Sequence, residues 1–252
     1  MASRLNVLGV QVSAFDLATA VAEMEEAIAA GRRTYACLCP VYTLMQGNER
    51  EDVRRALNGA DWVTADGMPV VWALKRLGAR AVGRVYGPDL MLALSEASLR
   101  RGFGHYYFGG GPGVAEGLAQ RMRARFPGLV VAGTQSPHVA DEAAEEPAET
   151  INAINASGAH VLWVGLGSPK QDLWMARHRS RLETPLLVGV GAAFDFLSGR
   201  KQQAPRWAQR GGVEWLFRLG AEPRRLWRRY AIYNPKFAVK LALQLTGLRH
   251  YG

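Results

Sequence analysis

Apolar positions along this chain fall into two alternating rhythms. Residues 5–12 read as a first strand. Residues 16–30 follow a helical period: Leu17, Val21, Met24 and Ile28 share one face, Asp16 opens the helix and Gly31 ends it. Residues 34–39 form a continuous apolar run, as expected of a strand buried on both faces. A helical stretch, 41–58, leads to a short strand at 61–64 and a helix over 68–77. Further strands are predicted at 105–108, 129–133, 160–166 and 186–190, with helical segments between them. Strands that alternate with helices predict an α/β fold with a mostly parallel sheet flanked by helices. From Ala204 the rhythm and composition change, so the chain divides into a core, 1–203, and a helical, basic, aromatic-rich appendage, 204–252.

Composition narrows the picture. With 252 residues, 48% hydrophobic and 21% charged, the chain can bury a large core. Cys37 and Cys39 lie too close on one strand for an unstrained bridge and are too few for a structural zinc site. A reducing, cytoplasmic compartment is expected. The first 12 residues lack the pattern of a secretory leader, and no run of 18 apolar residues predicts a membrane span. The net charge of +9 is concentrated: residues 200–252 carry 12 Lys/Arg against Glu214 and Glu222, a net +10. Such a block seeks phosphates, in nucleic acid, anionic lipid or a diphosphate substrate.

The candidate chemistry sits at strand ends, where open α/β sheets gather ligands. Asp66 lies between the strand 61–64 and the helix 68–77, and Arg84 and Asp89 follow on a Gly/Pro loop. Asp66 reads either as a catalytic carboxylate or as a helix N-cap, and Asp89 as the cap of a helix over 90–101. The turn with Gly109, Gly110, Gly111 and Gly113 follows a strand, where backbone N–H groups can approach a phosphate. It lacks the Lys-Ser/Thr of a Walker loop. Gln135 stands on a strand-end loop beside His138, which reads as a solvated histidine, and the acidic run 141–150 reads as a solvated helix start. In the segment 165–175, Gly165 and Gly167 precede Ser168, a candidate cap, and Gln171 falls in the first helical turn. Asp195 follows the last strand on an apolar loop, where it reads either as a helix cap or as a buried carboxylate that requires partners such as ribose hydroxyls. In the appendage, Trp207, Trp215 and Trp227 interleave with arginines. Arg218, Arg225 and Arg228 fall near one helical face if Pro223 breaks the helix only modestly. Aromatic rings beside cations suit a membrane interface.

Four motifs then carry a resemblance. Ala65-Asp66-Gly67 with Arg84-Val85-x-Gly87-x-Asp89-Leu90, the 165–175 segment, and 189–199 resemble the signature of the WecG/TagA/CpsF glycosyltransferases (glycosyltransferase family 26), as does Pro223 to Tyr230. The resemblance covers about 6–237. It implies a Rossmann-like fold and an inverting transfer of a hexose-type sugar, of the N-acetylmannosamine, mannose, glucose or uronic acid type. The donor is a nucleotide diphosphate sugar, UDP-linked, and the acceptor a polyprenyl-diphosphate-linked saccharide of a cell-envelope polysaccharide. On this reading Asp66 is the general base, with Arg84 and Gln171 in the catalytic group. Gly109, Gly110, Gly111, Gly113, Gln135, Gly165, Gly167 and Asp195 bind the nucleotide sugar. Arg218, Arg225 and Arg228 bind diphosphate or lipid. No Asp-x-Asp pair is present to hold a metal, so no metal or other cofactor is expected. The expected location is the cytoplasmic face of the inner membrane, bound peripherally to its anionic surface, and a homo-oligomer is compatible with this. At the end of the second strand the family carries Thr-x-Asn, where this chain has Leu38 and Pro40. That departure suggests a different sugar or acceptor, with Tyr42 or Thr43 as polar replacements. Two non-catalytic readings compete, a nucleic-acid-binding protein and a membrane scaffold. The sequence shows no nucleic-acid-binding motif, and a scaffold does not require Asp66, Gln171 and Asp195 at three strand ends.

Overall fold

In the computed structural model, which describes residues 3–137 and 145–252, the chain opens on a hairpin. β1 (Arg4–Val7) pairs antiparallel with β2 (Val10–Ser13) as a separate two-stranded sheet, so the single strand expected over 5–12 is corrected. Leu8 and Gly9 turn the chain with φ of 54° and 92°, the positive values a two-residue hairpin requires. Leu8 tolerates this because its surroundings hold it. Its side chain is buried, its N–H donates to Gln244 Oε1 at 2.9 Å, and its carbonyl accepts from Asn48 Nδ2 at 2.9 Å.

Helices and strands then alternate. They begin α1 (Leu17–Ala29), β3 (Thr34–Cys39), α2 (Val41–Glu49), α3 (Glu51–Asn58), β4 (Trp62–Ala65) and α4 (Met68–Arg76). Next come α5 (Gly87–Arg101), β5 (His105–Gly109), α6 (Val114–Arg125), β6 (Val131–Gln135) and α7 (Ala148–Ala156). β7 (Val161–Gly165), α8 (Lys170–His178), β8 (Leu186–Gly189) and α9 (Ala193–Leu197) complete the core. The last three helices are α10 (Arg206–Arg210), α11 (Glu214–Ala221) and α12 (Pro223–Leu245).

Six strands form one parallel sheet in the order β4-β3-β8-β7-β5-β6. Strand periodicity divides the core between its two faces. On β3, Tyr35, Cys37 and Cys39 pack with α2, α3, α4 and α8, while Ala36 and Leu38 pack with α1, α5, α6 and α9. The connection leaving β5 runs outward to β6, and the one leaving β7 runs back to β8. Their helices α6 and α8 lie on opposite faces, which opens a crevice beyond the carboxyl ends of β5 and β7.

Several boundaries differ from the sequence reading. The strand predicted over 129–133 is β6, two residues later, so Gln135 ends a strand instead of standing on a loop. The helical stretch 41–58 is two helices, broken at the extended Arg50. The helix expected from Leu90 begins at Gly87, so Asp89 lies within its first turn and is not a cap. There a Cβ on Gly87 would lie 3.3 Å from both Leu38 Cδ2 and the Val190 carbonyl, a tight fit that glycine relieves where α5 starts close to the strand ends. Ser168 does not cap α8, whose N-cap is Pro169. His138 and the first part of the acidic run 141–150 fall outside the described residues.

The C-terminal segment is clasped to the core. Phe237 is buried in it, and Tyr233 Oη accepts from Gln46 Nε2 at 3.0 Å. Lys236 pairs with Glu49 at 3.2 Å, and Gln244 Nε2 donates to the Asn6 carbonyl at 2.7 Å. Asn6 in turn donates to the Tyr251 carbonyl at 2.7 Å. By contrast α11 fully buries no residue, and Trp207, Leu216, Phe217 and Trp227 are exposed around it. Among the described residues no helix is long and apolar enough to cross a membrane.

Candidate functional site

β4 ends at Ala65, and the N-cap of α4 is Gly67 with no side-chain cap bond, which removes the capping role for Asp66. The Asp66 N–H donates to the Cys39 carbonyl at 3.4 Å, fixing it beside the end of β3. Its side chain turns inward. Oδ1 is buried with no hydrogen-bond partner, although the residue as a whole stays partly open to adjoining cavities. Desolvation pushes its pKa from an ordinary 3.8 up to about 7. Arg84 pulls it back, Glu214 raises it further, and Arg218 and the Gly87 amide favour the charged form.

Arg84 is held on three sides. Its Nε donates to the Asp66 carbonyl at 2.7 Å, its Nη2 pairs with Glu214, and its Cζ lies 4.0 Å from the Tyr86 ring centre. Tyr86 Oη is buried without a partner, and burial drives its ionisation upward.

Two cavities meet at this point. The larger, about 470 Å³, lies at the carboxyl ends of the strands. Gly110 and Gly111 after β5, Gly165 to Ser168 after β7, and Val190 to Asp195 after β8 line it, with Arg218, Arg225 and Arg229 opposite. Its size is that of a small-molecule site. The smaller, about 100 Å³, is walled by Tyr42, Met68, Pro69, Trp215 and Tyr230. Pro40, Asp66, Tyr86, Arg218 and Arg229 line both, so Asp66 stands in the shared wall.

The structure gathers most of the residues singled out from sequence, with corrections. Gln171 borders the larger cavity, as a ligand contact must, and both ends of its amide also serve its own loop. Oε1 accepts from the Gly167 N–H and Nε2 donates to Ser168 Oγ, each at 3.2 Å, and the side chain is buried while bordering the larger cavity. Gly109 is demanded by packing: a Cβ there would lie 2.6 Å from the Gly165 carbonyl carbon, because β5 and β7 close on each other. Gly113 is the N-cap of α6, with φ of 76°, and borders neither cavity. Gln135 also lies outside both; it ends β6, and its Nε2 donates to Thr150 Oγ1 of α7 at 3.2 Å. Asp195 borders the larger cavity from within α9. Instead of the buried loop carboxylate expected, it is partly exposed and paired with Lys201 at 2.9 Å, and Lys201 reaches Glu222 at 3.3 Å.

The arginine face is also corrected. Helices α11 and α12 are separate, so Arg218, Arg225 and Arg228 do not share a continuous stripe. Arg218 and Arg225 reach the larger cavity, whereas Arg228 packs near the Trp227 ring and borders neither cavity. Arg229 takes its place. At i+4 from Arg225 it shares that helical face, a periodicity legible in the sequence. Its Cζ lies 3.8 Å from the Tyr42 ring centre, and burial lowers its pKa to about 10. Leu38 and Pro40, the departure from the family pattern, both border the larger cavity. Of the suggested replacements, Tyr42 borders the smaller cavity, while Thr43 is buried inside α2 and borders neither.

Sequence reasoning also missed Glu214 and Asp172. Glu214 carries a signal in hindsight, being one of two acids in the basic stretch 200–252. Asp172, on α8 behind Gln171, is fully buried, and desolvation pushes it up to about 7 against the pull of the Cys37 thiol and the Ser168 hydroxyl. Among the described residues no cluster of three or more His, Cys, Asp or Glu side chains is placed to hold a metal ion. The model of the family described as Glycosyl transferase WecG/TagA/CpsF family matches residues 5–251, nearly the whole chain.

Proposed function

The chain belongs to the WecG/TagA/CpsF glycosyltransferase family, and from that premise we propose that it transfers a hexose-type sugar from a UDP-linked donor to a polyprenyl-diphosphate-linked saccharide. The observation that carries this reading is Asp66 in the wall between two cavities, buried and free of hydrogen bonds at Oδ1. The donor lies in the larger cavity. Its diphosphate faces the Gly110-Gly111 turn, the loop held by Gln171, and the guanidinium groups of Arg218, Arg225 and Arg229. Asp195 stands at the nucleotide end. The acceptor sugar enters the smaller, aromatic-walled cavity, where rings such as Tyr42, Trp215 and Tyr230 can stack on it.

Asp66 takes the proton of the acceptor hydroxyl as its oxygen attacks the anomeric carbon. The bond from that carbon to the diphosphate oxygen breaks, and the nucleoside diphosphate leaves with the electron pair. Attack opposite the leaving group inverts the configuration. A carboxylate poised near 7 is a suitable base at neutral pH, because it is neither fully protonated nor too weak. The arginines answer the charge that develops on the leaving group. With these cations and no Asp-x-Asp pair, we propose transfer without a metal. The exposed Trp207, Leu216, Phe217 and Trp227, set among arginines, support peripheral docking on the cytoplasmic face of the inner membrane. Calorimetric titration of the full-length protein with a panel of sugar nucleotides tests the donor site. A uridine diphosphate sugar is expected to bind wild type and Asp66→Asn alike, and failure of every sugar nucleotide to bind contradicts the reading.

A further inference from the structure

One guanidinium pairs with one carboxylate while it touches the backbone of a second acid. Arg84 Nη2 pairs with Glu214 at the start of α11, and both side chains are largely buried, at 15% and 12% exposure. Arg84 touches Asp66 through the backbone alone, from Nε to the carbonyl, and the Tyr86 ring braces the guanidinium plane. Asp66 Oδ1 is left without a partner. We propose that Glu214 is a positioning residue for the transfer reaction: it holds the Arg84 guanidinium away from the Asp66 carboxylate and so leaves that carboxylate free to accept a proton. The groups that face Asp66 are Cys39 from β3, Arg84 and Tyr86 from the loop before α5, Glu214 and Arg218 from α11, and Arg229 from α12. Of these, only Glu214 is an acid able to compete for Arg84. Without its charge the nearest anion for the guanidinium is the Asp66 side chain. An Asp held by an arginine is a much weaker base. The electrostatic direction agrees, since Glu214 favours and Arg84 opposes protonation of Asp66.

This rests on Asp66 being the base, so the test reads the carboxyl directly as well as the rate. Infrared difference spectra of full-length protein, with Asp66→Asn as the blank, follow the Asp66 carboxyl through pH 4–9. The pH dependence of kcat/KM is measured beside it. Glu214→Gln is expected to move both the carboxyl titration and the acid limb of the rate profile downward by about one pH unit, and to slow transfer on the order of tenfold. Glu214→Asp keeps the charge and is expected to restore both towards wild type. If folded Glu214→Gln titrates as wild type, the proposal is wrong while the base assignment stands. If wild type shows no Asp66 titration near neutrality, the base assignment fails first and the proposal with it.

Discussion

Replacing Asp66 by Asn is expected to cost activity and to return stability, with a pH signature that identifies the carboxylate. In the folded protein Asp66 keeps its proton up to about pH 7, whereas in the unfolded chain it loses it near the ordinary 3.8. Between those values the native state binds more protons, so the contribution of Asp66 to stability falls as pH rises from about 4 to about 7 and then levels off. About three pH units at 1.36 kcal/mol each give roughly 4 kcal/mol. This is an upper bound, because the residue is partly open to the cavities. Asn does not ionise. The stability of Asp66→Asn relative to wild type therefore rises with pH by up to roughly 4 kcal/mol, whatever fixed cost the buried amide adds. Asp172 titrates in both proteins and cancels in the difference. Urea unfolding at half-unit steps from pH 4 to 8 gives the curve directly. Transfer by the same variant is expected to fall by about 10²–10⁴-fold, with donor affinity kept. A flat difference curve refutes the raised pKa, and wild-type transfer by Asp66→Asn refutes the base.

Arg229→Met, close in size but uncharged, is expected to lower kcat by at least about tenfold, because a charge-assisted contact to the leaving diphosphate is lost; a change confined to vesicle binding would place Arg229 outside the chemistry. Turnover is expected to persist in excess EDTA, and loss restored by magnesium or manganese would show that a metal takes part. Binding to anionic vesicles is expected to fall steeply between 0.1 and 1 M salt, as the Debye length shrinks from about 10 Å to about 3 Å. The apolar contacts of Trp207 and Trp227 should leave a salt-resistant remainder. Equal binding of the Trp207→Ser/Trp227→Ser variant in high salt would remove those rings from the interface.

The alternation of helix and strand was legible because central strands such as β3 and β7 are apolar on both faces and core helices keep one apolar stripe, as Leu17 to Ile28 illustrate. The residues at strand ends, Asp66, Gly110, Gly167 and Asp195, were legible for the same reason, since parallel topology carries every carboxyl end to one edge. Tertiary choices were not. The fold of 5–12 into a hairpin depends on Gln244 and Asn48, which hold Leu8 at positive φ from far along the chain. The substitution of Arg229 for Arg228 depends on how α12 rolls against α2, a contact set by Tyr42, Gln46 and Tyr233. That Gln171 also closes the loop preceding it was not legible, because the loop's path is set by tertiary packing. Glu214 stands out in the sequence as an acid in a basic stretch, but its pairing was not legible, because Arg84 is 130 positions away.

The most direct measurement is a mass-spectrometric assay of transfer by the full-length protein, with a uridine diphosphate sugar and a short-chain polyprenyl-diphosphate-linked saccharide in anionic vesicles. The acceptor is expected to gain one hexose-type residue for each nucleoside diphosphate released, with inverted anomeric configuration and with loss of product in Asp66→Asn. Sugar-nucleotide turnover with no mass gained by the acceptor, or equal product from Asp66→Asn, would contradict the account.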